Sequence, residues 1–246
     1  LMTVLTQRAL QQDDGSFTVS QPITAARGDG DTHVVSPGHY RVGGQPPVAC
    51  DNELPQQQAT LGPYRIASQP VSNSHYLAFM EDGGYDTPSL WSEHGRTWLR
   101  QYGAQAPDHW RKDAGGNWYG IGNRGAYELM DADVLQGVSW YESQAYARWA
   151  GARLPHEHQW EVARRLQQLE QTGRAWEWCD NRFYPYEGFQ PFPDDGFSTP
   201  GFDGSHYTLR GGSLHTRPSL RRASFRNYHT PDARHIFAGI RLVFET

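Results

Sequence analysis

Residues 137–155 read GVSWYESQAYARWAGARLP, and this stretch decides how the rest of the chain is read. Ser139 can accept a backbone N–H from the first turn of a helix. Glu142, three positions on, can reach back to the Ser139 amide, which is the reciprocal pattern of a capping box. Gly151 stands just past the end, where a left-handed residue closes a helix without steric cost. Tyr146 and Trp149 fall on the stripe that such a helix buries, so both are assigned to packing. Pro155 then introduces a second helix, expected over roughly His156 to Leu169.

Working outward, Ser72, Asn73 and Ser74 precede HYLAFMEDGGY. This predicts a short helix with Tyr76, Leu77, Phe79 and Met80 on or near its buried side and Gly83–Gly84 ending it. Before it, from about residue 31, HVVSPGHYRVGG and ATLGPYRIASQPV alternate apolar and polar positions between Gly and Pro turns, the pattern of short strands. A long loop is expected from the end of the short helix to about residue 136. Beyond Trp176 the text predicts aromatic loops and short strands, with IFAGIRLVF at 236–244 as a final strand. The opening LMTVLTQRALQQ places Leu1, Met2, Leu5 and Leu10 on one helical face. Two readings of it stay open, a helix already under way at residue 1 and a short terminal helix docked on the domain.

The chain has 246 residues, enough for one sizeable core. Hydrophobic content is 37% and mean hydropathy is −0.75, yet 9 Trp, 13 Tyr and 10 Phe supply the apolar surface that a disordered chain lacks. The net charge is −5, and Lys and Arg are scattered except for Arg221, Arg222 and Arg226, so no basic face for nucleic acid is expected. Cys50 and Cys179 lie far apart, without disulfide-framework or zinc spacing, a usage that suits a reducing cytoplasm. No apolar run approaches the roughly 20 residues of a membrane span and no signal-peptide pattern is present, so a cytoplasmic protein is expected.

Several strings invite a chemical reading that physics answers structurally. Trp176 and Trp178 flank Glu177, so in an extended segment both indoles share one face and Glu177 is freed to act as an anchor. In LRGGS at 209–213, the paired glycines permit positive φ or close backbone approach, and Ser213 can bond locally. His156-Glu157-His158 resembles a ligand cluster but stands at a helix start, which favours capping over metal.

Taken together, CDNELP at 50–55, PVSNSHYLAFMEDGGY at 70–85, GVSWYESQAYARWAGARLP, WEWC at 176–179, LRGGS and FAGIRL at 237–242 resemble the formylglycine-generating-enzyme, or sulfatase-modifying-factor, domain over most of residues 31–246. The resemblance implies an α+β, C-type-lectin-like fold with little regular secondary structure. Formylglycine synthesis in that superfamily uses two cysteines shortly after RGGS. Here LHTRPSLRRASFR has none, so a soft copper(I) site cannot be built there and that activity is disfavoured.

A closer resemblance is to the ergothioneine-type sulfoxide synthases, through FMEDGGYDTPSLW at 79–91, FYPYEGF at 183–189, FSTPGFDGSHYTLRGGS at 197–213 and SFRNYHTPDARHIFAGIRL at 224–242. Those enzymes join a helical DinB-like module, which supplies three histidines to Fe(II), to a lectin-like module that closes the substrate pocket. The resemblance implies that residues 1–20 are the end of that preceding module plus a linker and that 21–246 are the lectin-like domain. It also implies that the iron ligands lie upstream of Leu1, with none in this chain. The implied substrates are hercynine, the betaine of histidine, with a thiol or selenol donor and O2.

The resemblance points to RNYHTPDAR for substrate binding. The Asn matching Asn227 contacts the trimethylammonium end of hercynine, with Tyr228 as an aromatic neighbour, although Asn227 can equally serve only to tie down a loop. His229, Arg226, Asp194 and Phe197 are further pocket residues, Asp194 also as a catalytic candidate. His229 and Ala233 stand where relatives using γ-glutamylcysteine carry an acid and an arginine. Asp194 and Phe197 align with a tyrosine pair, one of which donates a proton. These departures imply a different chalcogen donor or a different way of holding it, and a sulfoxide, thioether, selenoether or selenoneine-type product. Arg221 or Arg222 could meet a carboxylate or phosphate, or each could form a surface ion pair. Asp51, Asn52, Asp180 and Asn181 carry oxygens suited to Ca2+. The rival class is a non-catalytic lectin-like binding module.

Overall fold

The computed structural model describes residues 1–28, 30–194 and 196–245. The helices are α1 (Met2–Gln12), α2 (Asn73–Glu81), α3 (Glu93–Tyr102), α4 (Trp140–Trp149) and α5 (Glu157–Arg165). The strands are β1 (Thr32–Val35), β2 (Gly38–Val42), β3 (Gln57–Leu61), β4 (Tyr64–Ala67), β5 (Trp110–Lys112), β6 (Trp118–Gly122), β7 (Gly125–Glu128), β8 (Trp176–Arg182), β9 (Tyr207–Arg210), β10 (Asn227–His229), β11 (Ala238–Gly239) and β12 (Val243–Phe244). Among the described residues no helix is long and apolar enough to cross a membrane.

The chain divides into two compact units, the first built from Leu1–Gly28, Val71–Ala150 and Asp232–Gly239. In this unit α4 starts as its sequence requires. Ser139 Oγ accepts the Glu142 amide at 3.1 Å and Glu142 Oε2 accepts the Ser139 amide at 2.8 Å. Ser72 caps α2 through the His75 amide. Between these helices lies an aromatic core in which Tyr76 stacks on Tyr146 at 5.5 Å and Phe79 meets the edges of Tyr146 and Trp149. The region expected as a long loop instead carries α3, capped by Ser92 and closed by Gly103 at φ +61°, and the antiparallel sheet β5–β6–β7. Leu10 and Phe17, on and just after α1, pack against the Tyr119 and Ile121 cluster of β6. The first 28 residues thus belong to this unit by their contacts.

The second unit is built from Asp29–Pro70, Gly151–Pro231 and Ile240–Thr246. It holds the sheet β1–β4–β12, the hairpin β2–β3, and the antiparallel run β8–β9–β10 with β10 at its edge. Trp160 of α5 is buried with Val42, Tyr64, Ile66 and Val243 in the core. Glu177 is the anchor its spacing predicts. Its carboxylate accepts Trp160 Nε1 at 2.5 Å and Arg241 Nε and Nη2 at 2.6 and 3.0 Å. Arg241 also donates to the carbonyls of Ala67, Ser68 and Glu170. The expected final strand of 236–244 is instead two two-residue strands, β11 and β12, with Arg241 and its buried acceptors in the interval between them. Gly211 and Gly212 take φ of +92° and +85°, and Ser213 bonds Thr216 locally, as LRGGS suggests.

Candidate functional site

The candidate residues from the sequence all lie in the second unit, around the start of α5 and the edge strand β10. His156 caps α5 by accepting the His158 amide on Nδ1 at 3.1 Å, and the Gln159 side chain returns to the His156 amide at 3.0 Å. The cluster is therefore a capping box. Burial pulls both His156 and His158 down, His158 to about 4, so both imidazoles are neutral at neutral pH.

Glu157, the next residue, is the centre of a buried charge set. Burial alone would raise its carboxyl, but the Arg226 and Arg210 guanidiniums outweigh it and hold it at about 2. Arg226 grips it with Nε and Nη2, both at 2.7 Å, and donates also to the carbonyls of Asn52 and Tyr184. Its guanidinium lies over Phe183 and Tyr186, 4.6 and 4.2 Å from the ring centres. Arg210 Nη2 meets Glu161 at 2.7 Å, and Arg210 Nη1 meets the carbonyls of Ala223, Ser224 and Phe225. Arg226 therefore serves the framework, with its donors committed inside the protein. Beside it, a cavity of about 380 Å3 is walled by His156, His158, Tyr184, Tyr186 and Glu187 among others.

On β10 the pleat separates what the sequence places side by side. Asn227 pairs with Leu209, Tyr228 with Thr208 and His229 with Tyr207, so Asn227 and His229 share one face while Tyr228 takes the other. Tyr228 stacks on Phe183 at 4.3 Å and donates its hydroxyl to the Phe197 carbonyl at 3.0 Å. Burial and the nearby Asp51 carboxylate raise its phenol. The ring beside Asn227 is thus not available on the same face, so Asn227 and Tyr228 do not jointly face one ligand. Asn227 is half-buried on an edge strand, and its side-chain amide has no hydrogen-bond partner among the described residues.

Asp194 and Phe197 lie on the exposed loop after Tyr186. Asp194 accepts the Gly196 amide at 2.8 Å in a local turn, and Phe197 is 51% exposed. Asp51 and Asn52, which the sequence offers only as oxygens for Ca2+, hold this loop instead. Asp51 Oδ1 accepts Ser198 Oγ at 2.5 Å, and Ser198 Oγ accepts Asn52 Nδ2 at 3.1 Å. The signal was present in CDNELP, where a buried carboxylate needs donors from elsewhere.

Arg222 meets a carboxylate, but an internal one. It donates to Glu53, with Nε at 3.0 Å from Oε2, while Arg221 donates to the carbonyls of Thr216 and Leu214. The oxygens proposed for Ca2+ are dispersed. Asp51 and Asn52 face Ser198, whereas Asn181 Nδ2 donates to Glu157 and Thr208. Among the described residues no three His, Cys, Asp or Glu side chains come together as a metal site. The thiols are equally separate, half-buried Cys50 beside Arg222 and buried Cys179 on β8. In the first unit, a cavity of about 690 Å3 walled by Trp110, Trp118, Met80 and Glu81 holds none of the candidate residues.

Comparison with known proteins places this geometry. The chain is 30% identical to hercynine oxygenase from Mycolicibacterium smegmatis, over 99% of this chain and 68% of that protein. It is 34% identical to hercynine oxygenase from Mycobacterium tuberculosis, over 81% of this chain and 56% of that protein. It therefore spans between about half and two thirds of these relatives' length. PvdO from Pseudomonas aeruginosa superposes with a TM-score of 0.60 at 13% identity, covering 94% of this chain and 100% of that one, a likeness of fold alone. The α+β fold is of the C-type-lectin-like kind that the sequence implied. The profile of the sulfatase-modifying factor enzyme 1-like domain matches residues 18–172 and 166–246, and the chain belongs to that family.

Proposed function

We propose that this chain is the substrate-binding part of an Fe(II)- and O2-dependent oxidoreductase that joins a thiol or selenol donor to the imidazole of hercynine, in ergothioneine- or selenoneine-type biosynthesis. The observation that carries the reading is Asn227. Its side-chain amide has no hydrogen-bond partner among the described residues, on the open edge strand of a chain whose relatives include hercynine oxygenases. A trimethylammonium group has no N–H to donate, so it is met by oxygen dipoles and aromatic faces, and a carboxamide oxygen answers that need. His229 shares the Asn227 face and is the second contact.

The chain's own residues do not fit a complete Fe(II) site, since no three suitable ligands cluster among those described. We assign the iron ligands to a DinB-like module outside these 246 residues, and to this chain the holding of the imidazole in reach of that metal. The two separated free thiols agree with a reducing cytoplasm.

Calorimetry of hercynine with the intact protein, with and without Fe(II), tests this. Binding that is lost in Asn227→Ala supports the reading. Absence of binding in both states overturns it in favour of a lectin-like module for another ligand.

A further inference from the structure

We propose that Asp51 and Ser198 form a clamp that positions the loop of residues 190–200 for the ligand site, making both of them positioning residues. The inference rests on the hercynine reading for its ligand, but the clamp itself stands on geometry.

Across 190–200 every described residue is exposed except Ser198, which is fully buried. Among the described residues of the loop Ser198 is thus the buried side chain in a run that otherwise faces solvent. Ser198 Oγ donates to Asp51 Oδ1 at 2.5 Å, and Phe192 N approaches Asp51 Oδ2 at 3.4 Å. Asp51 is 1% exposed and has no salt-bridge partner among the described residues. Among the described residues its other donor is the amide of Asn52, its own neighbour. A buried carboxylate without a cation must be satisfied by dipoles, and the donors that reach Asp51 from a distance both belong to this loop. The arrangement differs from that of Glu53, two residues on, whose charge is met by Arg222.

The clamp reaches the site through the carbonyl next to its anchor. Phe197, adjacent to Ser198, accepts the Tyr228 hydroxyl at 3.0 Å, and Tyr228 follows Asn227 on β10. Release of Ser198 therefore frees Phe197 and Asp194 and removes one restraint on the strand that carries Asn227.

The test uses Ser198→Ala and Asp51→Asn in the intact protein, with chymotrypsin as a probe of the loop because Phe197, 51% exposed, is a cleavage site, whereas the bond after Phe192 is blocked by Pro193. Loss of the clamp should speed cleavage there by about tenfold through local opening, with little change in melting temperature. Hercynine affinity should fall about fivefold in the same variants through lost preorganisation. Unchanged cleavage in Ser198→Ala overturns the clamp. Faster cleavage with unchanged hercynine affinity overturns the positioning role, and failure of the unaltered protein to bind hercynine overturns the ligand reading while the cleavage result still judges the clamp. If Asp51→Asn does not fold, Ser198→Ala, which removes one hydroxyl, carries the test.

Discussion

Asn227 and Tyr228 are consecutive residues, yet β10 sends their side chains to opposite faces, one at the sheet edge with no hydrogen-bond partner among the described residues and one stacked 4.3 Å from Phe183. Substitutions at the two positions should therefore separate. Asn227→Ala should weaken hercynine binding by more than about tenfold, the loss expected of a polar contact to a charged group. Tyr228→Phe keeps the stack and loses only the bond to Phe197 through which the clamp acts, so its effect should not exceed the roughly fivefold loss of the clamp variants. Calorimetric titration of both variants checks the ranking, and equal losses would contradict the assignment of faces.

Arg226 and Glu157 make a bidentate pair in full burial. Removing one partner leaves the other charged and unpaired, so Arg226→Ala should cost about 3–5 kcal/mol in urea unfolding. Arg226→Lys should recover only part of this, since an ammonium cannot replace the planar fork that also reaches the Asn52 and Tyr184 carbonyls.

The same pair sets an acid limb. Glu157 has its folded value depressed from 4.5 to about 2, so the unfolded chain takes up its proton first as pH falls. Its contribution is complete above about pH 4.5 and is lost as pH falls through that window toward 2. Denaturation curves of Glu157→Gln, less stable at pH 7, should show a shallower decline between pH 4.5 and 2.

His109 predicts a second, milder limb in the first unit. It is buried 5.6 Å from the Phe237 ring, its Nε2 has no hydrogen-bond partner among the described residues, and burial lowers it from 6.5 to about 4 against the pull of Asp108. Stability from keeping it neutral is complete above pH 6.5 and declines as pH falls toward 4. In His109→Leu the loss of stability between pH 7 and pH 5 should shrink, measured by urea midpoint at both values.

Gly201 sits where a Cβ would overlap the Tyr228 ring. Because that ring is fixed between Phe183 and the Phe197 carbonyl, Gly201→Ala should destabilise by about 1–3 kcal/mol, as overpacking does. A shift in Tyr228 side-chain resonances should accompany the loss.

The elements legible from sequence were those written in local chemistry. The Ser139–Glu142 box, the Ser72 cap, the His156 cap and the positive φ of Gly211 and Gly212 all concern atoms within a few residues of one another. The sheet β5–β6–β7 went unread because three- to five-residue strands leave too little alternation to register. The site was less legible still. RNYHTPDAR marks the segment, but only the pairing of β10 with β9 shows which side chains share a face, and the partner of Asp51 lies 147 residues away. The resemblance points to Arg226 as a pocket residue, and it does line the cavity at the start of α5, but that its donors are taken by Glu157 and two carbonyls is a fact of tertiary packing.

Arg210, Arg226 and Arg241 are each fully buried, and beyond their carboxylate partners all three donate to main-chain carbonyls of irregular segments. A carbonyl is the same group whatever side chain stands beside it. The loops so held are recognised by their path and not by their spelling, which leaves their outward side chains at liberty to change without loosening the grip. A scaffold anchored in this manner can exchange one ligand preference for another by rewriting exposed letters, with the arginines beneath left as they are.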